Sequence, residues 1–144
     1  AYAPGNGDPA GFNLNDCSSQ RNLSDDGRKQ AQRIGEFFTK NKIEIDKVLS
    51  SEWCRCKETA KIAFKNYSTN SFLNSFYSAK FSKNKDKQVK AFNNYIKNLE
   101  SKKNLVFVTH YVFISEVLNY GPSSGEIVVS DKNLNIIGSI EIDF

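Results

Sequence analysis

A short apolar run that ends on the only histidine of the chain restricts the fold more than any other feature. Residues 105–110 read Leu-Val-Phe-Val-Thr-His, and a short run this rich in valine predicts a buried strand rather than a helix. In an open α/β sheet, ligands bind in the crevice at the carboxyl ends of the strands. A histidine at such an end can transfer a proton, attack an electrophile or hold an anion. The alternative is a histidine whose ring only hydrogen-bonds a neighbouring carbonyl group.

Length and composition indicate a single domain over residues 1–144. The chain is 39% hydrophobic and 25% charged, which is ordinary for a globular protein with one core. It contains no apolar run long enough to span a membrane. Residues 1–5 lack the basic start and apolar region of a signal peptide, which leaves the compartment open. A chain that begins so abruptly is expected to be a processed or truncated form.

Charge and cysteine content bear on three possibilities, which are nucleic-acid binding, a zinc site and a disulfide. The net charge is +4, with many lysines in residues 80–103. The scarcity of arginine there, and aromatic residues that are not spaced for stacking, favour a solvated helix face over a nucleic-acid patch. Cys17, Cys54 and Cys56 with His110 have the residue types of a zinc site, but their spacing is not typical of one. A disulfide between Cys17 and either Cys54 or Cys56 is one interpretation, and three reduced thiols is another.

The hydrophobic pattern predicts alternating helices and strands. Ser24 is a good N-cap, and Asp25 and Asp26 follow it in the first turn, where the helix dipole favours negative charge. Residues 1–22 form a glycine- and proline-rich loop whose length suggests a functional role, and residues 66–84 have no clear assignment. The predicted elements are helices at 24–41, 52–64, 86–101 and 112–119, and strands at 46–50, 104–109, 127–129 and 136–142. This order predicts an α/β sandwich with a C-terminal hairpin at a sheet edge.

Three basic groups are expected to meet at the crevice. Arg55 lies near the start of the second helix, whose amino end points to the same crevice as the strand that ends at His110. Arg21 closes the glycine-rich loop. Arginine and a helix amino terminus both bind phosphate well, so these residues together predict a phosphate site. The alternative for Arg55 is a surface salt bridge with Glu52 or Glu58.

Three motifs of the chain resemble those of the histidine phosphatase superfamily, which is also called phosphoglycerate mutase-like. Residues 23–31 resemble its L-[ST]-x-x-G-x-x-Q-A helix start. Residues 51–60 are similar to its S-x-x-x-R-x-x-x-T-A segment, and Val108-Thr109-His110 resembles the strand end that bears its second histidine. The resemblance covers about residues 1–130. It implies a three-layer α/β/α sandwich with a mostly parallel sheet.

The resemblance also implies a reaction. A nucleophilic histidine takes the phosphoryl group, and water hydrolyses the phosphohistidine that results. Arg55 would bind the phosphate and His110 would donate to the phosphoryl oxygens, with Arg21 and Asn6 as further phosphate contacts. The implied substrate is a phosphorylated small molecule or a phosphohistidine protein. No metal, cofactor or nucleic acid is implied.

Two departures from the family pattern bear on activity. The nucleophile of the family lies in an R-H-[GA] motif that ends its first central strand, and this chain has no such motif. Ala1 resembles the third residue of that motif, so the strand and the nucleophile would lie just upstream. Two alternatives remain, a domain that binds phosphate or a phosphosugar without catalysis, and a mutase, although mutases carry larger insertions over the site.

The second departure concerns the proton donor. Tyr111 follows His110 where acid phosphatases of the family have aspartate. Glu126 is the remaining candidate acid, with Asp86 and Glu116 less favoured, whereas phosphohistidine phosphatases need none. The amino-acid sequences of residues 4–12, 17–24 and 53–56 resemble those of a bacterial branch that includes lipopolysaccharide-core heptose phosphatases. That resemblance slightly favours a periplasmic or envelope location over a cytoplasmic one, with a disulfide.

Overall fold

The computed structural model describes all 144 residues and contains four α-helices and five strands. The predicted alternation of helices and strands is confirmed, although α3 ends four residues earlier than its apolar stripe indicates. Short 3-10 turns lie at Cys17–Ser19, Ser71–Leu73 and Ser82–Asn84. In chain order the main elements are α1 (Asp25–Lys40), β1 (Ile45–Ser50), α2 (Cys54–Phe64), β2 (Ser68–Thr69), α3 (Lys85–Lys97), β3 (Asn104–Val108), α4 (Tyr111–Leu118), β4 (Ile127–Ser130) and β5 (Ile136–Ile140).

The central sheet brings the ends of two apolar strands to the same level. Its order is β2-β1-β3, and both pairings are parallel. Ser50 lies beside Val108 in the register, and the Ser51 backbone N–H donates to the Val108 carbonyl at 2.9 Å. The residues that follow β1 and β3 therefore begin side by side, as the sequence predicted.

The C-terminal hairpin differs from its predicted position. Strands β4 and β5 pair antiparallel, but they form a separate two-stranded sheet rather than the edge of the central one. A cavity separates β3 from β4, so their backbones do not reach hydrogen-bonding distance. β5 is exposed over most of its length, with Ile137 at 70%.

Helices cover the sheet, and aromatic side chains fill much of the core. Phe92 of α3 packs edge-on against Phe72, Phe107 and Phe113. The unassigned segment 66–84 contributes Phe72, Leu73 and Phe76 to this core. Its regular structure is confined to two- and three-residue pieces, which are too short to show a period. None of the helices combines the length and the apolar character needed to cross a membrane.

Candidate functional site

The ends of β1 and β3 place Ser51 and His110 in direct contact. The Ser51 hydroxyl oxygen lies 2.7 Å from His110 Nε2, and it also accepts a hydrogen bond from the Trp53 backbone at 3.1 Å. Both side chains are buried, and His110 precedes the first residue of α4. The predicted position of the histidine at a strand end is therefore confirmed, and its ring is held by a side chain rather than a carbonyl group.

The two ring nitrogens of His110 have different surroundings. Nε2 faces Ser51, whereas Nδ1 makes no hydrogen bond and is not sealed from solvent. Burial, and then the positive charges of Arg55, Arg21 and the Ala1 amino group, hold the pKa of His110 well below its ordinary value of 6.5. The ring is therefore neutral near pH 7. If Ser51 donates to Nε2, the ring proton lies on Nδ1, where it is available to a ligand.

Arg55 occupies the second position of α2 and is almost fully buried. One of its terminal nitrogens donates to the Asp8 carboxylate at 2.9 Å and to the Arg21 carbonyl at 3.4 Å. The alternative of a surface salt bridge with Glu52 or Glu58 is wrong. Glu58 pairs with Arg28, and Glu52 accepts a hydrogen bond from Asn74.

Asp8 is the partner of Arg55, and the sequence analysis missed it. Its carboxylate accepts from the Arg21 backbone N–H, from the Trp53 indole and from Arg55, each at 2.9–3.0 Å. Burial raises the pKa of Asp8, but these hydrogen bonds and the charge of Arg55 outweigh it and leave the pKa below its usual value. The sequence did contain a signal for this role, since Asp8 is an acidic residue in the glycine- and proline-rich loop upstream of Arg21. Asp8 is an ionised anchor and not a proton donor.

Arg21 closes the group of charges. Its side chain donates to the Gly7 carbonyl at 2.7 Å and to the Ala3 carbonyl, which fixes the loop around it. Its charge also lowers the pKa of His110. We call Asp8, Arg21, Arg55 and His110 the charged cluster. It contains two guanidinium groups and one carboxylate, which is a net positive charge.

Two other predicted site residues make no hydrogen bond to the charged cluster. Asn6 is exposed and lies between Gly5 and Gly7, which both have positive φ angles. Its side chain has no hydrogen bond to the cluster. Glu126 accepts from the Tyr120 hydroxyl and, at 2.7 Å, from the Ser123 backbone N–H. These bonds lower the pKa of Glu126, which makes it a weak proton donor in this arrangement.

A disulfide between Cys17 and Cys54 fixes the loop to the start of α2. It decides between the two pairings left open by the sequence, and it removes two of the thiols that a zinc site would need. Gln20 reinforces the link, because its side-chain oxygen accepts from the Cys54 backbone N–H at 3.0 Å. Cys56 is free and buried, with its sulfur 3.6 Å from His110 Nε2, and burial raises the pKa of its thiol.

A cavity of about 1400 Å³ extends from the charged cluster between β3 and β4. At one end its walls include Asp8, Arg55 and His110. Most of the remaining walls are apolar and come from both strands and from α1 and α4, although Lys103, Ser130 and Asp131 also line the cavity. We call this second part the apolar cleft. The buried arginine and histidine side chains lie at the other end.

Comparison with known proteins finds a partial family match and two structures of the same fold. A family model described as the histidine phosphatase superfamily (branch 1) matches residues 17–73. The protein histidine phosphatase SixA, solved with tungstate, has a TM-score of 0.58 at 17% identity, over 95% of this chain and 92% of its own. The chain therefore resembles the histidine phosphatase superfamily in the sequence of residues 17–73 and in its fold. TTHB049 from Thermus thermophilus has the same fold, with a TM-score of 0.59 at 15% identity over 85% of both chains. No curated protein matches the sequence.

The structure explains why three motif positions of this chain need their residues. A Cβ atom at Gly27 would collide with the Tyr2 carbonyl oxygen, so only glycine fits there. Buried Gln30 accepts from the Tyr2 backbone N–H at 2.8 Å and donates to the carbonyls of Ser124 and Ile142. Thr59 accepts from the Ala1 amino group at 3.2 Å. These contacts hold the first residues beside the charged cluster. The match of residues 17–73 to the histidine phosphatase model supports a phosphatase-type function.

Proposed function

We propose that this chain binds the phosphoryl group of a phosphomonoester or a phosphohistidine and forms the body of a phosphatase. The charged cluster is the observation that supports this. Arg55 and His110 are buried, Arg21 is half-buried, and Asp8 is the only carboxylate in contact with them. A desolvated excess of positive charge is costly unless an anion compensates it. A phosphoryl group supplies that charge and matches the arginine fork.

Each member of the cluster has a proposed role. Arg55 has one terminal nitrogen engaged by Asp8, and its remaining donors bind the phosphoryl oxygens. His110 donates from Nδ1 to an oxygen whose charge grows in the transition state. Arg21 adds positive charge while it holds the loop, and Asn6 contacts the phosphate from the cavity wall. Asp8 fixes the orientation of Arg55.

We further propose that the nucleophile is a histidine just upstream of Ala1. The Ala1 amino group lies beside Thr59, and its charge acts on Cys56, Arg55 and His110. A residue attached there would lie next to the charged cluster. A strand before it would fit the apolar cleft, where β3 has one edge without a partner strand. Its side chains would cover residues 105–108, which are only half-buried.

The proposed reaction has two steps. An imidazole nitrogen attacks phosphorus, and the bond to the leaving group breaks as that group gains a proton. Water then attacks phosphorus, the N–P bond breaks, and phosphate is released while the histidine is regenerated. Glu126 stays a candidate acid, but it must first give up its bonds to Tyr120 and Ser123. This favours a phosphohistidine, whose leaving group needs little protonation.

The test compares a form extended upstream with the 144-residue chain, using p-nitrophenyl phosphate and phosphohistidine as substrates. We expect turnover by the extended form alone, undiminished by a chelator, and a loss of roughly 100-fold or more in its Arg55→Met variant. An upstream sequence without Arg-His, or equal activity of both forms, would contradict the proposed nucleophile. Tungstate binding by an inactive extended form would instead support a non-catalytic phosphate-binding domain.

A further inference from the structure

Aromatic side chains extend from the charged cluster toward the outside of the cavity. The Trp53 ring lies edge-on to the His110 ring, with centroids 5.3 Å apart. Phe12 follows at 5.8 Å from Trp53. Tyr77 lies over Gly7, the residue whose carbonyl accepts from Arg21. We call Phe12, Trp53 and Tyr77 the aromatic shelf, and all three line the cavity.

The three residues of the shelf differ in exposure. Trp53 is buried, Phe12 is half-buried and Tyr77 is 63% exposed. Phe81 does not line the cavity but supports the shelf from behind, 5.4 Å from Trp53 and 5.9 Å from Phe12. Lys80 lies over the Phe81 ring at 5.4 Å. The shelf is therefore a braced surface whose outer part stays open to a ligand.

We propose that the aromatic shelf binds the leaving group of the substrate, and that this group contains a ring with an apolar face close to the phosphorus atom. The inference rests on the proposed function, since it assumes that the charged cluster holds the phosphoryl group. Most polar groups beside the shelf are already engaged: Trp53 donates to Asp8, and Asp8 accepts from Arg55 and Arg21. Aromatic side chains bind flat rings through stacked or edge-on contacts. The imidazole of a phosphohistidine, another aromatic ring and the apolar face of a sugar share this chemistry.

The test measures binding to the 144-residue chain by calorimetry or by competition with tungstate. Methylphosphonate and phenylphosphonate have the same charged group and differ in the ring, and glucose 1-phosphate offers a sugar ring instead. We expect at least one ring ligand to bind roughly tenfold more tightly than methylphosphonate. Whichever of phenylphosphonate and glucose 1-phosphate binds more tightly identifies the kind of ring.

Two variants test whether the shelf causes this preference. Phe12→Ala and Tyr77→Ala should each reduce the ratio of ring-ligand to methylphosphonate affinity, whereas Ile137→Ala on the distant hairpin should leave the ratio unchanged. Because both affinities are measured on the same variant, the ratio does not change if the variant binds all phosphonates less tightly. Tyr77 is exposed enough for its variant to fold. A ratio near one in the unmodified chain, or a ratio that both shelf variants retain, would overturn the inference while the proposed function stands. Failure to bind tungstate and all phosphonates would overturn both.

Discussion

The two ends of the cavity are constructed in opposite ways. At one end the charged cluster is held by hydrogen bonds and an ion pair within the loop 1–22 and the start of α2, and a disulfide fixes the two segments together. At the other end β3 and β4 face each other across apolar surface, and no backbone hydrogen bond joins them. The charged end is fixed by directional contacts, whereas the apolar end is only partly packed.

The difference shows which part of the site the present chain can fix by itself. Each fully buried side-chain polar atom of the charged end has a hydrogen-bond partner. Removing one partner would leave another buried group unpaired in a region of low dielectric constant. That requirement fixes the geometry of Arg55. Apolar contacts have no such directional demand, and β5 leaves Ile136 and Ile137 exposed. We therefore expect perturbations at the charged end to have larger effects than equal changes in the hairpin.

The largest effect should follow removal of either partner in the Arg55–Asp8 pair. Arg55→Met and Asp8→Asn should each lower the free energy of unfolding by about 3–5 kcal/mol, because each leaves a buried partner uncompensated. Their effects on anion binding should differ. Arg55→Met should abolish tungstate binding, whereas Asp8→Asn should bind tungstate at least as tightly as the unmodified chain, because the anion replaces the lost carboxylate. Urea unfolding and calorimetry measure the two quantities.

Arg28 provides the matched control for this comparison. It pairs with two carboxylates, those of Asp25 and Glu58, whereas Arg55 pairs with one, and it is exposed. Arg28→Met should change neither stability nor tungstate affinity appreciably, since solvent screens exposed pairs. Similar losses in Arg28→Met and Arg55→Met would contradict the distinction between the two ends. Weaker tungstate binding in Asp8→Asn would show that the orientation Asp8 gives to Arg55 matters more for anion binding than the negative charge that the anion replaces.

An intermediate effect is expected from the Cys17–Cys54 disulfide. It closes a long loop, because the two cysteines are 37 positions apart in the sequence, so its loss should lower the free energy of unfolding by about 2–4 kcal/mol. Cys17→Ser should match the unmodified chain in reductant and should itself be insensitive to reductant. Tungstate affinity should fall as well, because the loop positions Asp8 and Arg21.

Ile137→Ala gives the corresponding measurement on the hairpin. We expect a change within about 0.5 kcal/mol, as for exposed positions in general. If that substitution costs as much as loss of the disulfide, the hairpin is packed more firmly than its exposure indicates. Unfolding curves in urea, with and without reductant, provide all of these values.

Elements with a strong local signal could be predicted from the sequence, and their positions place the site. The N-cap at Ser24, the apolar run before His110 and the strand before Ser51 predicted three segments, and the ends of the two strands lie side by side. The sequence also placed Arg55 on the first turn or two of the second helix, and Arg55 is the second residue of α2. Each of these predictions depends on residues within one turn or one strand, where local patterns are informative.

Contacts between distant segments could not be predicted in the same way. The Asp8–Arg55 pair joins residues 47 positions apart, and no local period links a loop carboxylate to a helix arginine. The choice of Cys54 over Cys56 likewise depends on the direction in which each side chain leaves α2. The separate hairpin was missed because strand patterns predict that β4 and β5 pair with each other, but not what lies beside them. Asn6 and Glu126 stay predictions that ligand-bound structures must test.

The smallest effect, and the most specific, concerns the titration of His110. Since it is the only histidine, its ring signals in NMR are unambiguous. Burial and the neighbouring positive charges lower its pKa in the folded chain below the ordinary 6.5. The folded form then binds a proton less readily than the unfolded form. This contribution leaves stability unaffected above about pH 6.5 and lowers it progressively as the pH falls from 6.5 toward the pKa of the folded form.

Sulfate provides the test of how the charged cluster responds to an anion, since it keeps its charge over this range. If sulfate binds between Arg55 and His110, its negative charge should raise the pKa of His110 and reduce the loss of stability in acid. In the His110→Gln variant, that part of the acid sensitivity should disappear. If the pKa of His110 without sulfate is at or above the ordinary 6.5, or if sulfate does not raise it, His110 and Arg55 do not share one anion. A shift that survives Arg55→Met would place the anion with Arg21 instead, and the charged end would then depend on the loop more than on the helix.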